Sequence, residues 1–286
     1  MPGQLSMRTT CVIALTFLVL AVSVHAGPAV TVSVSPTTIG QGRTVAVTVT
    51  GDLPDGTLQV RFAGRTWPLY RASDRWRTYL GTDPNTAPGA RAIVIELVDH
   101  DSVRVLARRT ITVRGVPFPR RTIVFDPETL ALLTPEKVTE EQAKVAVGLR
   151  VLEPAQLWSA SFQIPLTGRI SSPYGVISIY QGASHGWHHG VDIAAPEGEI
   201  VRAANSGIVR LAEPLPLSGD TVIVDHGMGI LTFYMHMSAI DVTPGEIVQR
   251  GAVVGRVGST GLATGPHLHW GVRVNGVYVD PLLWTR

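Results

Sequence analysis

The alternation of apolar and polar residues predicts β-structure at both ends of the chain, with a helical pattern between them. From Arg43 to Thr50 the alternation is unbroken. Val45, Val47 and Val49 fall on one face and Thr44, Thr48 and Thr50 on the other. A period of two puts one face on a core and the other in water. Further strand-like runs cover 58–62, 92–98 and 102–113. The turn signals Pro54-Asp55-Gly56, Asp83-Pro84-Asn85 and Pro88-Gly89 separate them. Short strands at this spacing predict a β-sandwich of immunoglobulin type over residues 27–115. No Cys…Trp…Cys pattern supports it, so the expectation concerns architecture alone.

Residues 116–160 read as a Pro-rich and helical connector, with Pro117, Pro119, Pro127 and Pro135 near its start. A helix is predicted from Thr134, a good N-cap followed by proline at the first helical position. Glu136, Glu140 and Glu141 fall early, where the helix dipole favours acids. Val138, Val145, Leu149 and Leu152 form one apolar stripe, and Gly148 and Pro154 limit the length. Beyond Phe162 the period returns to two. Runs at 221–225 and 230–236 flank His226-Gly227-Met228-Gly229 as a hairpin. Pro244-Gly245 and Asn275-Gly276 mark further turns, and 253–257 and 268–274 are strands. Residues 161–286 are therefore expected to be antiparallel β-structure with almost no helix, and the chain as a whole mainly β.

Composition adds two constraints. Hydrophobic residues make up 45% and charged ones 16% of 286 positions, which suits a folded chain with a sizeable core. The net charge is +2, so neither a nucleic-acid partner nor an anionic membrane surface follows from the balance. Residues 1–26 carry the marks of a signal peptide. Arg8 is the positive element, 11–22 is a short apolar run, and Val24-His25-Ala26 suits cleavage before Gly27. The run is about a dozen residues, whereas a membrane span needs roughly 20. An uncleaved N-terminal anchor is the alternative. Cys11 is the one cysteine, so the mature chain forms no disulfide, and a metal must be held by His, Asp or Glu.

The candidate chemistry lies in two short motifs about 80 residues apart, His188-His189-Gly190-Val191-Asp192 and His267-Leu268-His269, with His236 between them in Tyr234-Met235-His236. Strand alternation points His188 and Asp192 one way, His267 and His269 likewise, and Leu268 into a core. A hydrolytic zinc site needs three N/O donors and one open position for water. The chain has no H-E-x-x-H helix to supply a glutamate base, no G-x-S-x-G elbow, and no G-K-[ST] after its glycine-rich stretch 255–265.

With their flanks, these motifs resemble the lysostaphin/LytM-type zinc metallopeptidases, which cut peptide cross-links of bacterial peptidoglycan. Ile170-Ser171-Ser172-Pro173-Tyr174-Gly175 precedes the first motif and Ala194-Ala195-Pro196-Glu197-Gly198 follows it. The second reads Thr264-Gly265-Pro266-His267-Leu268-His269-Trp270. The resemblance covers roughly residues 160–286. It implies zinc bound by His188, Asp192 and His269, and catalytic assistance from His236 and His267. It further implies an exported endopeptidase acting on peptidoglycan peptides in the periplasm, cell envelope or outside the cell. No nucleic acid is expected as partner, and no membrane after signal cleavage. Two rivals are a non-catalytic cell-wall binding or activator module of the same fold, and a secreted protease on protein substrates. Some members carry an assisting tyrosine before the first motif, and Tyr180 is the nearest candidate. His189 is expected to face away from the metal and His226 to be a turn residue. His185 and Trp187 are candidates for the groove rim.

Overall fold

The computed structural model describes residues 30–286 except 54, 101, 181 and 182. The expected leader lies outside the described residues. In the N-terminal part, the alternating valines bury one face completely: Val45, Val47 and Val49 have no solvent exposure. Their strand, Thr44–Thr50, pairs with Thr31–Ser35 and Arg75–Gly81, and Tyr70–Ala72 closes this four-stranded sheet. A five-stranded sheet runs in the order Thr38–Gly40, Ser102–Arg114, Gly89–Asp99, Thr57–Phe62 and Arg65–Pro68. Leu58, Val60, Phe62, Ile93, Ile95 and Ile111 from it meet the valines in one core. Each such side chain contributes about 1.5–3 kcal/mol on burial. The strands Arg65–Pro68, Tyr70–Ala72 and Arg75–Gly81 were not expected from the sequence. Their arginines and aromatics blur the alternation, although Thr78 and Leu80 are fully buried.

The C-terminal part is built on a ten-stranded sheet. Its central path runs Arg169–Ser172, Gly190–Ala194, His267–Val274, Ile230–Ile240, Gly219–Asp225, Gly207–Leu215 and Ile247–Val248, all antiparallel neighbours. Val191, Ile193, Leu268, Trp270, Val272 and Tyr234 fill the core beneath one face. The predicted hairpin at His226–Gly229 is present between Gly219–Asp225 and Ile230–Ile240. His226 is fully buried. Its Nδ1 donates to the Ser206 carbonyl at 2.8 Å, and Thr232 Oγ1 lies 2.8 Å from Nε2. It is a structural residue, as its place in the turn suggested.

The helix Pro135–Gly148 starts where its cap predicted, with Thr134 Oγ1 accepting from Lys137 N. Val145, Leu149 and Leu152 cover a small cluster of Leu211, Leu215, Ile223, Leu231 and Phe233 on the face of the sheet away from the main core. Upstream of it the connector holds an unexpected strand, Arg120–Thr122, which pairs in parallel with Ile177–Tyr180. Among the described residues no helix is long and apolar enough to cross a membrane.

The two parts meet at the Asn275-Gly276 turn. Asn275 Nδ2 donates to Thr78 Oγ1 at 3.0 Å and to the Tyr79 carbonyl at 2.8 Å, while Trp67 Nε1 donates to the Asn275 carbonyl. Asn275 has φ +45°, the left-handed backbone that asparagine tolerates in a two-residue hairpin. Beyond it, Val277 joins the core shared by the two N-terminal sheets.

Burial pushes the His226 pKa down to about 4. In the unfolded chain a histidine takes its proton near pH 6.5. Between these values the unfolded state binds more protons, so stability falls as pH falls through that window. The contribution at stake is about 3 kcal/mol. Denaturant unfolding measured from pH 7 to 4 is expected to show this loss, and His226→Gln should flatten the slope. An equally steep slope in the variant would contradict it.

Candidate metal and catalytic site

The site starts from strand register. Asp192 stands directly opposite His269 on Gly190–Ala194 and His267–Val274, and Met235 of Ile230–Ile240 stands opposite His269 on its other side. Opposed residues of antiparallel strands share a face. Asp192 and His269 therefore project together, while Leu268 between the two histidines is fully buried. His188 lies just before its strand. Its N–H donates to the Val176 carbonyl at 2.8 Å, and its own carbonyl accepts from Gly175 N at 2.9 Å.

Three donor atoms converge there. His188 Nε2 lies 2.9 Å from Asp192 Oδ1 and 2.9 Å from His269 Nδ1, and His269 Nδ1 lies 3.0 Å from the same oxygen. His188 Nδ1 donates to the Pro173 carbonyl at 2.9 Å, so in the neutral ring Nε2 carries an inward lone pair. Burial opposes the charge on Asp192, but hydrogen bonding from His188 and His269 outweighs it and holds the carboxyl well below the usual range. For His188, burial lowers the pKa, yet the Asp192 hydrogen bond and charge leave it raised. Burial lowers that of His269.

With both rings neutral and His269 Nδ1 unprotonated, three lone pairs meet here, an arrangement that a cation among them stabilises. Two imidazoles and a carboxylate are a zinc donor set. Tetrahedral zinc with bonds of 2.0–2.1 Å spaces its donors roughly 3.3 Å apart, a few tenths of an ångström wider than here. The residues therefore fit the ion. Gly190 is part of that fit. A Cβ there would overlap the Trp270 carbonyl and stand 2.9 Å from His269 Nε2.

His236 reaches the site by a different route. Strict alternation would place it on the face of Tyr234, in the core. A β-bulge intervenes, because the register against Gly219–Asp225 shifts between Val222/Tyr234 and Asp220/Met237. His236 itself has φ +63°. The extra residue turns its ring toward His267, with ring centroids 5.0 Å apart, while Tyr234 stays fully buried. His236 Nδ1 donates to the Thr260 carbonyl at 2.9 Å, and His267 Nδ1 to the Gly265 carbonyl at 2.8 Å. Both rings thus present Nε2 lone pairs. His267 Nε2 lies 3.7 Å from Asp192 Oδ1. Burial, then the neighbouring His267 and His269, pushes the His236 pKa down to about 3.

The five side chains line one groove of about 360 Å³. Trp187 and Tyr180 also line it, and Tyr180 packs edge-on against Phe125 at 5.5 Å. His189 stacks on Tyr278 at 4.6 Å, outside the triangle of donors. The sequence reading missed the connector's share. Arg121, Ile123, Phe125 and Glu141 form part of the wall. Only the early acids of the helix offer a signal in the sequence, and their position equally suits the helix dipole.

Residues 186–281 match Peptidase family M23. Over 116 residues the chain is 42% identical to the DD-carboxypeptidase/endopeptidase Mpg of Neisseria meningitidis, covering 40% of this chain and 26% of that protein. Over 95 residues it is 40% identical to the peptidoglycan DD-endopeptidase ShyA of Vibrio cholerae, covering 33% and 22% respectively. The chain thus spans about a quarter of the length of these curated relatives. A solved Pseudomonas aeruginosa structure assigned to peptidase M23 aligns over 86% of this chain and 94% of its own, at 28% identity and a TM-score of 0.62. An overlap of that extent reaches beyond the groove-bearing residues into the N-terminal part. The motifs with their flanks, the convergent donors and these likenesses agree: residues 186–281 form a Peptidase family M23 domain.

Proposed function

We propose that this chain is an exported zinc endopeptidase that hydrolyses peptide cross-links of bacterial peptidoglycan. The observation that carries this reading is the convergence of three lone-pair donors beside two histidines whose Nε2 atoms are free to exchange protons. His188, Asp192 and His269 would hold the metal. Zinc bound there supplies Lewis acidity to a scissile carbonyl and lowers the pKa of a water to about 7. His236 and His267 supply the acid–base and oxyanion help that a glutamate gives in other zinc peptidases. His236, buried and kept neutral, presents an Nε2 lone pair beside His267, and its Nδ1–H anchor to Thr260 fixes the tautomer. The Mpg and ShyA names favour a D,D cross-link as the scissile bond. The complete set of five residues weighs against a non-catalytic wall-binding module. The N-terminal part serves as an immunoglobulin-type spacer or wall-contacting module, and residues 1–26 as a leader removed before Gly27.

The purified mature chain is expected to hold one zinc, read by elemental analysis, and to release cross-linked fragments from sacculi, identified by mass. His269→Ala should lose metal and activity together. His267→Ala and His236→Ala should keep most of the metal and lose roughly 10²-fold or more in rate. A chain that takes up no zinc, or a zinc-loaded chain inert on sacculi and soluble muropeptides, would overturn the proposal. Loss of zinc in His267→Ala with retention in His269→Ala would reverse the assigned roles.

For export, N-terminal sequencing of envelope protein should begin near Gly27. An intact Met1 in the membrane fraction would indicate an anchor instead, and an intact Met1 on cytoplasmic protein would refute export.

A further inference from the structure

The catalytic histidines are not held by the C-terminal domain alone. Glu141, on the connector helix and outside the family-matched residues, reaches across to the turn that leads into Gly219–Asp225. One carboxylate oxygen accepts from Leu217 N at 2.7 Å and Ser218 N at 3.1 Å; the other accepts from Ser218 Oγ at 2.5 Å. All three donors of one turn thus end on a single side chain from a different part of the chain. Hydrogen bonds to an ionised acceptor are the stronger kind.

That turn is wired to His236 in two ways. The Ser218 carbonyl accepts from His236 N at 2.9 Å, which fixes the backbone of the bulge residue. The Leu217 carbonyl accepts from Leu262 N at 2.7 Å, which ties down the loop carrying Thr260. Thr260 in turn accepts from Asp220 N through Oγ1 and from His236 Nδ1 through its carbonyl, both at 2.9 Å. His236 sits in left-handed backbone, a conformation that persists only where its surroundings enforce it. Among the described residues the 217–218 and 260–262 segments provide the hydrogen bonds to His236 N and Nδ1, and Glu141 clamps the first of them.

We infer that Glu141 is a positioning residue for the reaction: it holds the Leu217–Ser218 turn, and through it the orientation and tautomer of His236. The connector helix thereby completes the catalytic site from outside the peptidase domain. This rests on the proposed role of His236. It predicts that reach matters more than charge at position 141. A glutamine keeps the reach. Its amide oxygen can accept from both backbone N–H groups, and its NH2 can donate to Ser218 Oγ. An aspartate keeps the charge but is one methylene too short.

The test uses the full mature chain, zinc-loaded, with two readouts. On soluble cross-linked muropeptide, Glu141→Ala and Glu141→Asp should lower kcat by about 10-fold to 10²-fold, with KM within about 2-fold and one zinc retained, because small misplacement of a reacting group is costly. Glu141→Gln should stay within about 3-fold of wild type. Placed in a His236→Ala background, Glu141→Ala should cost little more, since residues acting as one unit are not additive. Independently of turnover, NMR of histidine-labelled protein should show a slowly exchanging His236 Nδ1–H in wild type and Glu141→Gln, and its loss in Glu141→Ala and Glu141→Asp. Unchanged kcat and an unchanged Nδ1–H signal in Glu141→Ala would overturn the inference. Aspartate outperforming glutamine would do so too, pointing to charge rather than position. If the wild-type chain cleaves nothing, the peptidase reading fails, while the Nδ1–H signal still decides whether Glu141 orders His236.

Discussion

Asp192 and His269 face each other across two antiparallel strands, and everything in the groove is measured from that pairing. It is held from the opposite face. Val191, Ile193, Leu268 and Trp270 alternate with the site residues and are all fully buried. A slip of one residue would send His269 and Asp192 into the core and expose a tryptophan and three aliphatic side chains, at about 1.5–3 kcal/mol for each. Burial of apolar surface thus enforces a polar arrangement that would not hold itself together. Three donor atoms lie within 3.0 Å of one another, and the packed underside keeps them there.

A second layer of control comes from main-chain carbonyls. Pro173, Thr260 and Gly265 each accept the Nδ1–H of a different histidine, leaving three Nε2 atoms aimed inward. These carbonyls lie in loops, which are rich in the glycine and proline that the pattern of strands cannot explain. The runs around the two motifs are therefore more than spacers, since they decide which nitrogen of each ring is available.

Strand period was enough to read the Asp192, His267 and His269 face and the buried Leu268, and the capped helix at Pro135 was equally plain. Period alone would have misplaced His236. It shares parity with Tyr234, and only the bulge and the left-handed backbone at 236 lift its ring out of the core. A bulge is a local extra residue with no pattern of its own, so the resemblance to the zinc peptidases, not alternation, pointed to this histidine. Arg120–Thr122 escaped for a related reason. Three exposed polar residues among prolines have no apolar face to betray a strand, and their pairing with Ile177–Tyr180 is a long-range event. The reach of Glu141 to the 217–218 turn is likewise a product of tertiary packing.

The hairpin at Asn275-Gly276 has a bearing on how this architecture can vary. Tips of two-residue hairpins are ordinarily where chains accept extra residues, because nothing packs against them. Here the tip is a plug. Asn275 is bonded to Thr78 and Tyr79, and Val277 lies in the core of the two N-terminal sheets, just beyond the strand that carries His267 and His269. Lengthening this loop would draw on two hydrophobic cores at once and loosen the strand that presents the histidines. Insertions are better borne at the exposed Ala63-Gly64 turn, where a Cβ on Gly64 would meet nothing within 4 Å. A turn that the sequence marks plainly is thus also one whose length is held from both sides.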